Sequence, residues 1–325
     1  MSEVVLQGIG LVKHYPIRSG VLSRTVGQVH AVDGVDLTLQ AGTTLGLVGE
    51  SGCGKSTLGR LLMCLERPTA GQLIIDGEDV LAKGPAQLRR LRARVQIVFQ
   101  DPYTSLNPRK TVGDIVAEPF QIHPDARPKG SLRQAVGELL ELVGLPQSAM
   151  NRYPHQFSGG QRQRIGVARG IALRPQVLIL DEPVSALDVS VQAQVVNLLE
   201  DLQHELGLAY VFIAHDLAVV RHISSQVAVM YLGQIVEQGS EAEIYDSPRH
   251  PYTKALLSAV PVPDPSLRGS RETIILHGDV PSPADPPAGC RFHSRCPLVK
   301  ERCRSHQPPL RGVAQVDHAV ACHFA

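Results

Sequence analysis

The chain has 325 residues with a formal net charge of +1, and its hydrophobic (43%) and charged (19%) fractions are ordinary for a globular protein. This length allows two domains, or one large domain with an appendage. The nearly neutral charge provides no general basic field, so we expect no nucleic-acid partner. No apolar run approaches the roughly 18 residues that indicate a membrane-spanning helix, and the first residues lack the features of a signal peptide. We therefore expect a cytosolic protein that meets a membrane only through a partner.

The pattern of apolar residues predicts strands and helices in alternation. The first forty residues alternate apolar and polar positions, which predicts antiparallel strands. Further strands are predicted at 43–48, 73–75, 94–100, 177–180 and 209–214, with a hairpin at 227–237. Helices are predicted at about 132–143 and 190–206, and residues 101–170 resemble a helical insertion. These elements predict an α/β fold with a mostly parallel sheet and an antiparallel N-terminal part.

The stretch from 49 to 57 (GESGCGKST) joins the predicted strand at 43–48 to the start of a helix. Its glycines can adopt backbone angles that a Cβ forbids, so successive N–H groups form an anion nest at the positive end of the helix dipole. Lys55 is expected to bridge the β- and γ-phosphates of a nucleotide, and Ser56, supported by Thr57, to bind Mg²⁺. The residues that we expect to contact the nucleotide are Gly49, Ser51, Gly52, Cys53, Gly54, Lys55, Ser56 and Thr57.

Polar side chains stand at the ends of three other predicted strands. Asp181 and Glu182 follow a buried apolar run; Asp181 is expected beside Mg²⁺, and Glu182 is expected to polarise the water that attacks the γ-phosphate. His215 ends the next buried strand and could hydrogen-bond the γ-phosphate or that water. Gln100, at a third strand end, could reach Mg²⁺ or the water. Open α/β sheets bind ligands at this edge, which favours a common site.

A second glycine-rich stretch, Ser158-Gly159-Gly160-Gln161, precedes another predicted helix and forms a second anion nest. A single phosphate-loop domain needs only one phosphate cradle. Two cradles become useful if a second subunit docks head to tail, so that each subunit closes over the γ-phosphate held by the other. The stretch therefore favours a dimer.

In these motifs the chain resembles an ATP-binding cassette ATPase, and the resemblance covers about residues 1–260. The matching motifs are Walker A (49–57), the Q-loop (Gln100), the signature (Ser158–Gln161), Walker B (177–181) with the catalytic Glu182, the D-loop (185–188) with Asp188, and the switch histidine (His215). Tyr15, which by itself could be a packed strand tyrosine or a ring that stacks on a base, matches the aromatic residue that stacks on adenine. The resemblance implies a P-loop ATPase fold that binds ATP with Mg²⁺.

Three further stretches narrow the resemblance to ATPases of the peptide and nickel import family: 102–109 (PYTSLNPR), 249–253 (RHPYT) and 287–290 (PAGC). The resemblance implies a head-to-tail dimer with a sister ATP-binding subunit, two transmembrane permease subunits and a periplasmic or lipoprotein substrate-binding protein. It places the chain at the cytoplasmic face of the inner membrane. It favours dipeptides or oligopeptides as cargo, while nickel and other small solutes, and a homodimer, stay open.

Residues 261–289 are rich in proline and predict an extended connector to a cysteine-rich end, which suggests a boundary between a cassette at 1–260 and a tail at 261–325. The tail cysteines are Cys290, Cys296, Cys303 and Cys322. Their spacing is not that of a zinc ribbon, but a short tail with little core suggests a metal staple. Some peptide-import ATPases that the chain resembles carry a 4Fe–4S cluster here, which implies an iron–sulfur cluster. Zinc, with help from nearby histidines, and free thiols are the alternatives.

Two other functions fit part of the sequence. A cassette ATPase acting on ribosomes or DNA usually has two cassettes or a coiled-coil insertion, and neither is present here. A metal-dependent nucleic-acid binder could use the tail, where Arg291, Arg295, Arg302 and Arg304 form a local basic patch. Such a patch is more often a solvated face, so we expect these arginines to be exposed.

Overall fold

The computed structural model describes residues 3–20, 23–260, 273–312 and 318–325. The strands in this part of the chain are β1 (Val4–Ser19), β2 (Arg24–Gln40), β3 (Thr44–Val48), β4 (Ala70–Ile75), β5 (Glu78–Asp79), β6 (Val95–Val98), β7 (Val177–Asp181), β8 (Ala209–Ala214), β9 (Gln226–Tyr231), β10 (Gln234–Ser240), β11 (Arg311–Gly312) and β12 (Ala319–Val320). The α-helices are α1 (Lys55–Leu62), α2 (Pro85–Arg94), α3 (Pro102–Ser105), α4 (Val112–Ile122), α5 (Leu132–Leu142), α6 (Gly159–Ile171), α7 (Val189–Leu206), α8 (Leu217–Ile223), α9 (Glu241–Asp246), α10 (Pro251–Ser258) and α11 (Glu301–Ser305).

The larger sheet has the strand order β11-β12-β10-β9-β3-β8-β7-β6. Its centre is parallel, because β3 pairs in parallel with β8 and β9, and β7 pairs in parallel with β8 and β6. Every residue of β3 and β8 is buried, as expected for central strands that helices cover on both faces. The predicted α/β fold with a mostly parallel sheet is confirmed.

The smaller sheet is antiparallel, in the order β2-β1-β4-β5. Strands β1 and β2 pair from Val4 with Gln40 to Ser19 with Arg24, as the alternation of the first forty residues predicts. The turn between β4 and β5 uses Asp76 (φ 50°) and Gly77 (φ 73°), left-handed conformations that suit these two residue types. This sheet is the predicted N-terminal β-subdomain.

Helices α3 to α6 lie between β6 and β7, which are neighbours in the larger sheet, so the predicted helical insertion is confirmed. The predicted strand at 94–100 is shorter than expected: β6 ends at Val98, and Phe99 is 42% exposed because the chain there leaves the sheet for the insertion. Gln100 therefore lies just beyond the strand end.

Two short strands of the tail, β11 and β12, form one edge of the larger sheet. Strand β12 pairs with β10 at Glu237 and Val320, and buried His318 contacts the carboxylate of buried Glu237, with 2.8 Å between Nε2 and Oε1. The same carboxylate accepts the backbone N–H groups of Arg249 and His250. These contacts provide hydrogen-bond partners for a fully buried carboxyl group, and they tie the stretch at 249–253 to the tail. The boundary at 260 stays a prediction.

The tail also contributes to an aromatic cluster in the core. Phe292 is 1% exposed, and its ring centroid lies 5.3 Å from that of Tyr231, 5.4 Å from that of Tyr252 and 5.6 Å from that of His250.

Burial lowers the pKa of His250 to about 3. Its Nδ1 accepts the backbone N–H of Tyr252 at 3.1 Å, so the imidazole is neutral in the folded protein.

The buried His250 should make the folded protein sensitive to acid. In the unfolded chain a histidine takes up a proton below about pH 6.5, whereas folded His250 does so only near pH 3. The free energy of unfolding should therefore fall as the pH drops through this window, by about 1.4 kcal/mol per pH unit at most. Denaturant unfolding should show that His250→Asn loses about 2 kcal/mol less than the wild type between about pH 7.5 and about pH 5. The exposed control His204→Asn should behave as wild type, and an unchanged pH dependence in His250→Asn would contradict the expectation.

Candidate functional site

The glycine-rich stretch forms a tight loop between β3 and α1. Gly49 and Gly54 have φ values of 154° and 111°. A Cβ on Gly49 would lie 2.2 Å from the carbonyl oxygen of Met230, and one on Gly54 would lie 2.0 Å from that of Ala31. Because neither contact is possible, only glycine lets the loop pack this closely on the backbone of β9 and β2. The anion nest itself stays a prediction.

Lys55 is the first residue of α1 and is only 4% exposed. Its ammonium donates to the carbonyl oxygens of Gly49 at 2.7 Å and Glu50 at 3.0 Å. Nearby, burial raises the pKa of the Cys53 thiol, although the charge of Lys55 opposes this. The ammonium is therefore held inside the loop.

Ser56 connects the loop to the end of β7. Its hydroxyl donates to Oδ1 of Asp181 at 3.1 Å. Burial raises the pKa of Asp181, and the charge of Glu182 adds to this effect, while the hydrogen bond from Ser56 opposes it. A half-buried carboxylate beside a hydroxyl offers the oxygen donors that Mg²⁺ prefers, and a cation there would offset the burial of the charge. These two residues fit a magnesium ion.

Glu182, Gln100 and His215 meet at the ends of three adjacent strands. The side-chain amide of Gln100 donates to Oε2 of Glu182 at 2.7 Å, and Nδ1 of His215 lies 3.5 Å from the same oxygen. Glu182 has a φ of 48°, which costs about 1–3 kcal/mol for a residue other than glycine. Its backbone N–H donates to the carbonyl oxygen of Ile213 at 2.9 Å. The structure thus brings the three predicted catalytic residues together.

One cavity of about 490 Å³ joins the loop to these strand ends. It is lined by Val29, Ala31, Ser51, Gly52, Gly54, Lys55, Ser56, Thr57, Gln100, Glu182, His215 and Pro283. Sequence reasoning missed Val29, Ala31 and Pro283. Pro283 belongs to the predicted connector, and its carbonyl oxygen accepts the backbone N–H of His30 at 2.8 Å. No local signal in the sequence indicates that this proline reaches the site.

Tyr15 lies beside the cavity, outside its lining. It is half-buried on β1, its hydroxyl donates to Glu66, and the Lys13 ammonium lies 5.1 Å from its ring centroid. Burial and the hydrogen bond to Glu66 raise the pKa of its hydroxyl. The adenine-stacking role of Tyr15 stays a prediction.

The second glycine-rich stretch lies elsewhere. Ser158 caps α6: its Oγ accepts the N–H of Gln161 at 3.3 Å, while Oε1 of Gln161 accepts the N–H of Ser158 at 3.1 Å. A Cβ on Gly160 would lie 2.4 Å from a methyl carbon of Val191, at the start of α7. Asp188 caps that helix by accepting the N–H of Val191 at 3.0 Å. The predicted signature and Asp188 are therefore neighbours, and neither lines the cavity at the phosphate loop.

Comparison with known proteins identifies the family. A family profile described as "ABC transporter" matches residues 32–185, and one described as "Oligopeptide/dipeptide transporter, C-terminal region" matches residues 236–303. The oligopeptide transport ATP-binding protein AppF of Bacillus subtilis is 53% identical over 324 residues, which cover 99% of this chain and 98% of that protein. The chain belongs to the ABC transporter family of ATP-binding proteins.

Other relatives agree with this assignment. The dipeptide transport ATP-binding protein DppF of Escherichia coli is 53% identical over 322 residues, 99% of this chain and 95% of that protein. Among solved structures, a dimeric post-hydrolysis state of the ATP-binding cassette MJ0796 bound to ADP and Pi has a TM-score of 0.63 and 26% identity, covering 73% of this chain and 98% of that one. As an ABC transporter ATP-binding protein, the chain is an ATPase that binds ATP and Mg²⁺.

The prediction of a 4Fe–4S cluster is corrected. Within the described residues, the potential ligands that gather within 4.8 Å of one another are His14, His30 and Asp33, not the cysteines. The family descriptions name ATP binding and peptide transport and no cluster, and zinc gains no support either.

In the part of the chain that the structure describes, no helix is both long and apolar enough to cross a membrane.

Proposed function

We propose that this ABC transporter ATPase powers a bacterial importer of dipeptides or oligopeptides. The proposal is supported by sequence identity: the chain is 53% identical to two peptide-transport ATP-binding proteins over 99% of its length. This likeness extends into the tail, where the profile of the oligopeptide/dipeptide transporter C-terminal region matches residues 236–303. The cassette supplies the ATPase, and the profile whose description names oligopeptide and dipeptide transport covers the end of the cassette and part of the tail.

We infer the roles of the site residues from their contacts. The loop glycines and Lys55 hold the phosphates, and Ser56 and Asp181 hold Mg²⁺, which when bound neutralises phosphate charge. Gln100 and His215 both approach Oε2 of Glu182. The other carboxylate oxygen is then left to accept the proton of the attacking water, so Glu182 is the general base. Tyr15 stacks on the adenine.

A head-to-tail partner completes the site. The signature at Ser158–Gln161 and Asp188 lie outside the cavity of their own phosphate loop, which is the arrangement expected if they act on ATP held by another subunit. The related cassette bound to ADP and Pi is described as dimeric. We propose a sister ATP-binding subunit as the partner, in keeping with the dipeptide and oligopeptide resemblance.

An apolar groove beside Gln100 is the proposed contact with the permease. It has a volume of about 270 Å³, and Phe99 and Ile122, which line it, are 42% and 52% exposed. Exposed apolar side chains that cluster in this way are typical of docking surfaces. Since Phe99 directly precedes Gln100, a permease helix in the groove would sense changes at Glu182. We propose two permease subunits and a substrate-binding protein as partners, with the ATPase on the cytoplasmic face of the membrane.

The cargo is tested by uptake into cells that lack the gene. Labelled dipeptide, labelled pentapeptide and nickel are offered to the deletion strain and to the same strain carrying the wild-type gene. We expect the gene to restore peptide uptake by about tenfold or more, without changing nickel uptake. Restored nickel uptake alone would contradict the proposal, and the ratio of dipeptide to pentapeptide uptake assigns the cargo length.

A further inference from the structure

A segment of the tail grips the phosphate loop. We call residues 290–296 (CRFHSRC) the tail clamp. The guanidinium of Arg295 donates to both carboxylate oxygens of Glu50, at 2.8 Å from Nη1 and 3.2 Å from Nη2. The Arg295 side chain is 8% exposed and that of Glu50 is 26% exposed. A bidentate ion pair that is largely shielded from water fixes the relative orientation of the two side chains as well as pairing their charges.

Glu50 is the residue through which the tail clamp reaches Lys55 of the phosphate loop. Its backbone N–H donates to the hydroxyl of Tyr252 at 2.9 Å, and Tyr252 packs on Phe292 of the tail clamp. Its carbonyl oxygen accepts the ammonium of Lys55 at 3.0 Å. Arg295 therefore holds the side chain of Glu50 directly, and Phe292 supports the N–H contact of Glu50 indirectly, through Tyr252. The carbonyl oxygen of Glu50 in turn positions the Lys55 ammonium, which we expect to meet the phosphates.

A second arginine of the tail clamp contacts β2, a strand that also lines the cavity. Arg291, 8% exposed, pairs with Asp33 on β2 and donates to the carbonyl oxygen of Leu232. Burial alone would raise the pKa of Asp33, but the charge of Arg291 and a hydrogen bond with His14 together hold it below its usual range. Ala31, two residues before Asp33, lines the cavity. The tail clamp thus contacts β2, the turn after β9 and the phosphate loop together.

We propose that the tail clamp preorganises the phosphate loop for ATP, with Arg295 as the positioning residue. Two physical effects combine. The pair with Arg295 restricts the loop before ATP binds, so less ordering is needed on binding. Arg295 also neutralises the Glu50 carboxylate, which would otherwise repel the incoming phosphates. The inference rests on ATP binding alone and not on the cargo of the transporter.

The test is a double-mutant cycle on the full chain, with titration of Mg²⁺ and the non-hydrolysable analogue AMP-PNP. Arg295→Gln should raise the Kd at least about tenfold, because it loosens the loop and leaves Glu50 unneutralised. Glu50→Gln loosens the loop but removes the repulsive charge, so its Kd should rise less. The double variant should bind as Glu50→Gln does, which means that the second substitution partly restores the affinity lost in Arg295→Gln.

Controls separate positioning from general damage. Arg302→Gln, at an exposed arginine of the same tail, should bind within about twofold of wild type. A lower Tm in Arg295→Gln with an unchanged Kd, or losses that simply add in the double variant, would overturn the proposal. If Arg295→Gln does not fold, Arg295→Met, which likewise removes the charge and the two hydrogen bonds to Glu50, replaces it in the cycle with the same criteria. A wild-type chain that binds AMP-PNP but restores no peptide uptake would refute the cargo and leave the tail clamp standing.

Discussion

Glu182→Gln is expected to lower ATP hydrolysis by at least about a hundredfold while ATP binding stays close to wild type. The amide keeps the size of the carboxylate and can still accept the hydrogen bond from Gln100, so the site should keep its shape. It cannot take a proton from the attacking water, so the chemical step should fail. Phosphate release under saturating ATP measures the first effect, and titration with AMP-PNP measures the second.

A matched control is Glu205→Gln, which makes the same chemical change at an exposed position of α7. It should hydrolyse ATP as the wild type does. Hydrolysis that is unchanged in Glu182→Gln would show that Glu182 is not the base. Loss of both hydrolysis and binding would show that Glu182 holds the nucleotide instead.

Lys55→Ala is expected to weaken ATP binding itself, by one to two orders of magnitude. Hydrogen bonds from a charged donor contribute about 1.5–3 kcal/mol each, and Lys55 is a buried ammonium beside the predicted phosphate position. In the structure it donates to carbonyl oxygens of the loop, which are neutral acceptors. Phosphate oxygens are charged acceptors and should be preferred.

The measurement is the Kd for AMP-PNP with Mg²⁺, read beside the Tm of the nucleotide-free protein. Lys254→Ala, at an exposed lysine of α10, is the control and should leave the Kd unchanged. An affinity that survives in Lys55→Ala would contradict the role of the lysine. A lower Tm in both variants would point to damage of the fold.

The sequence predicted which side chains lie together near the phosphate loop, because the signals there are local. The glycine pattern of the phosphate loop and the buried apolar runs of β7 and β8 specify their own backbones. Parallel pairing then places Asp181, Glu182 and His215 at one edge of the sheet. The order of the strands along the chain and the residues at their ends were enough to predict that these side chains lie close together. The distances between them are known only from the structure.

The tail was predicted poorly because its contacts are long-range. Arg295 and Glu50 are 245 positions apart, and no periodicity links them. The expectation that the basic patch is exposed holds for Arg302 and Arg304 and is wrong for Arg291 and Arg295, which lie in ion pairs. Cysteine spacing likewise suggested metal ligation, but spacing along the chain cannot report whether the thiols gather around one ion.

The most direct test of the account is peptide uptake by cells whose sole copy of the gene carries Glu182→Gln. Immunoblots of the membrane fraction establish that the variant is made and assembled as the wild type is, and Glu205→Gln serves again as the control. We predict that uptake of labelled dipeptide or pentapeptide falls to the level of the deletion strain, because ATP binds but is not hydrolysed. Uptake at the wild-type level would contradict the claim that hydrolysis at Glu182 drives peptide import.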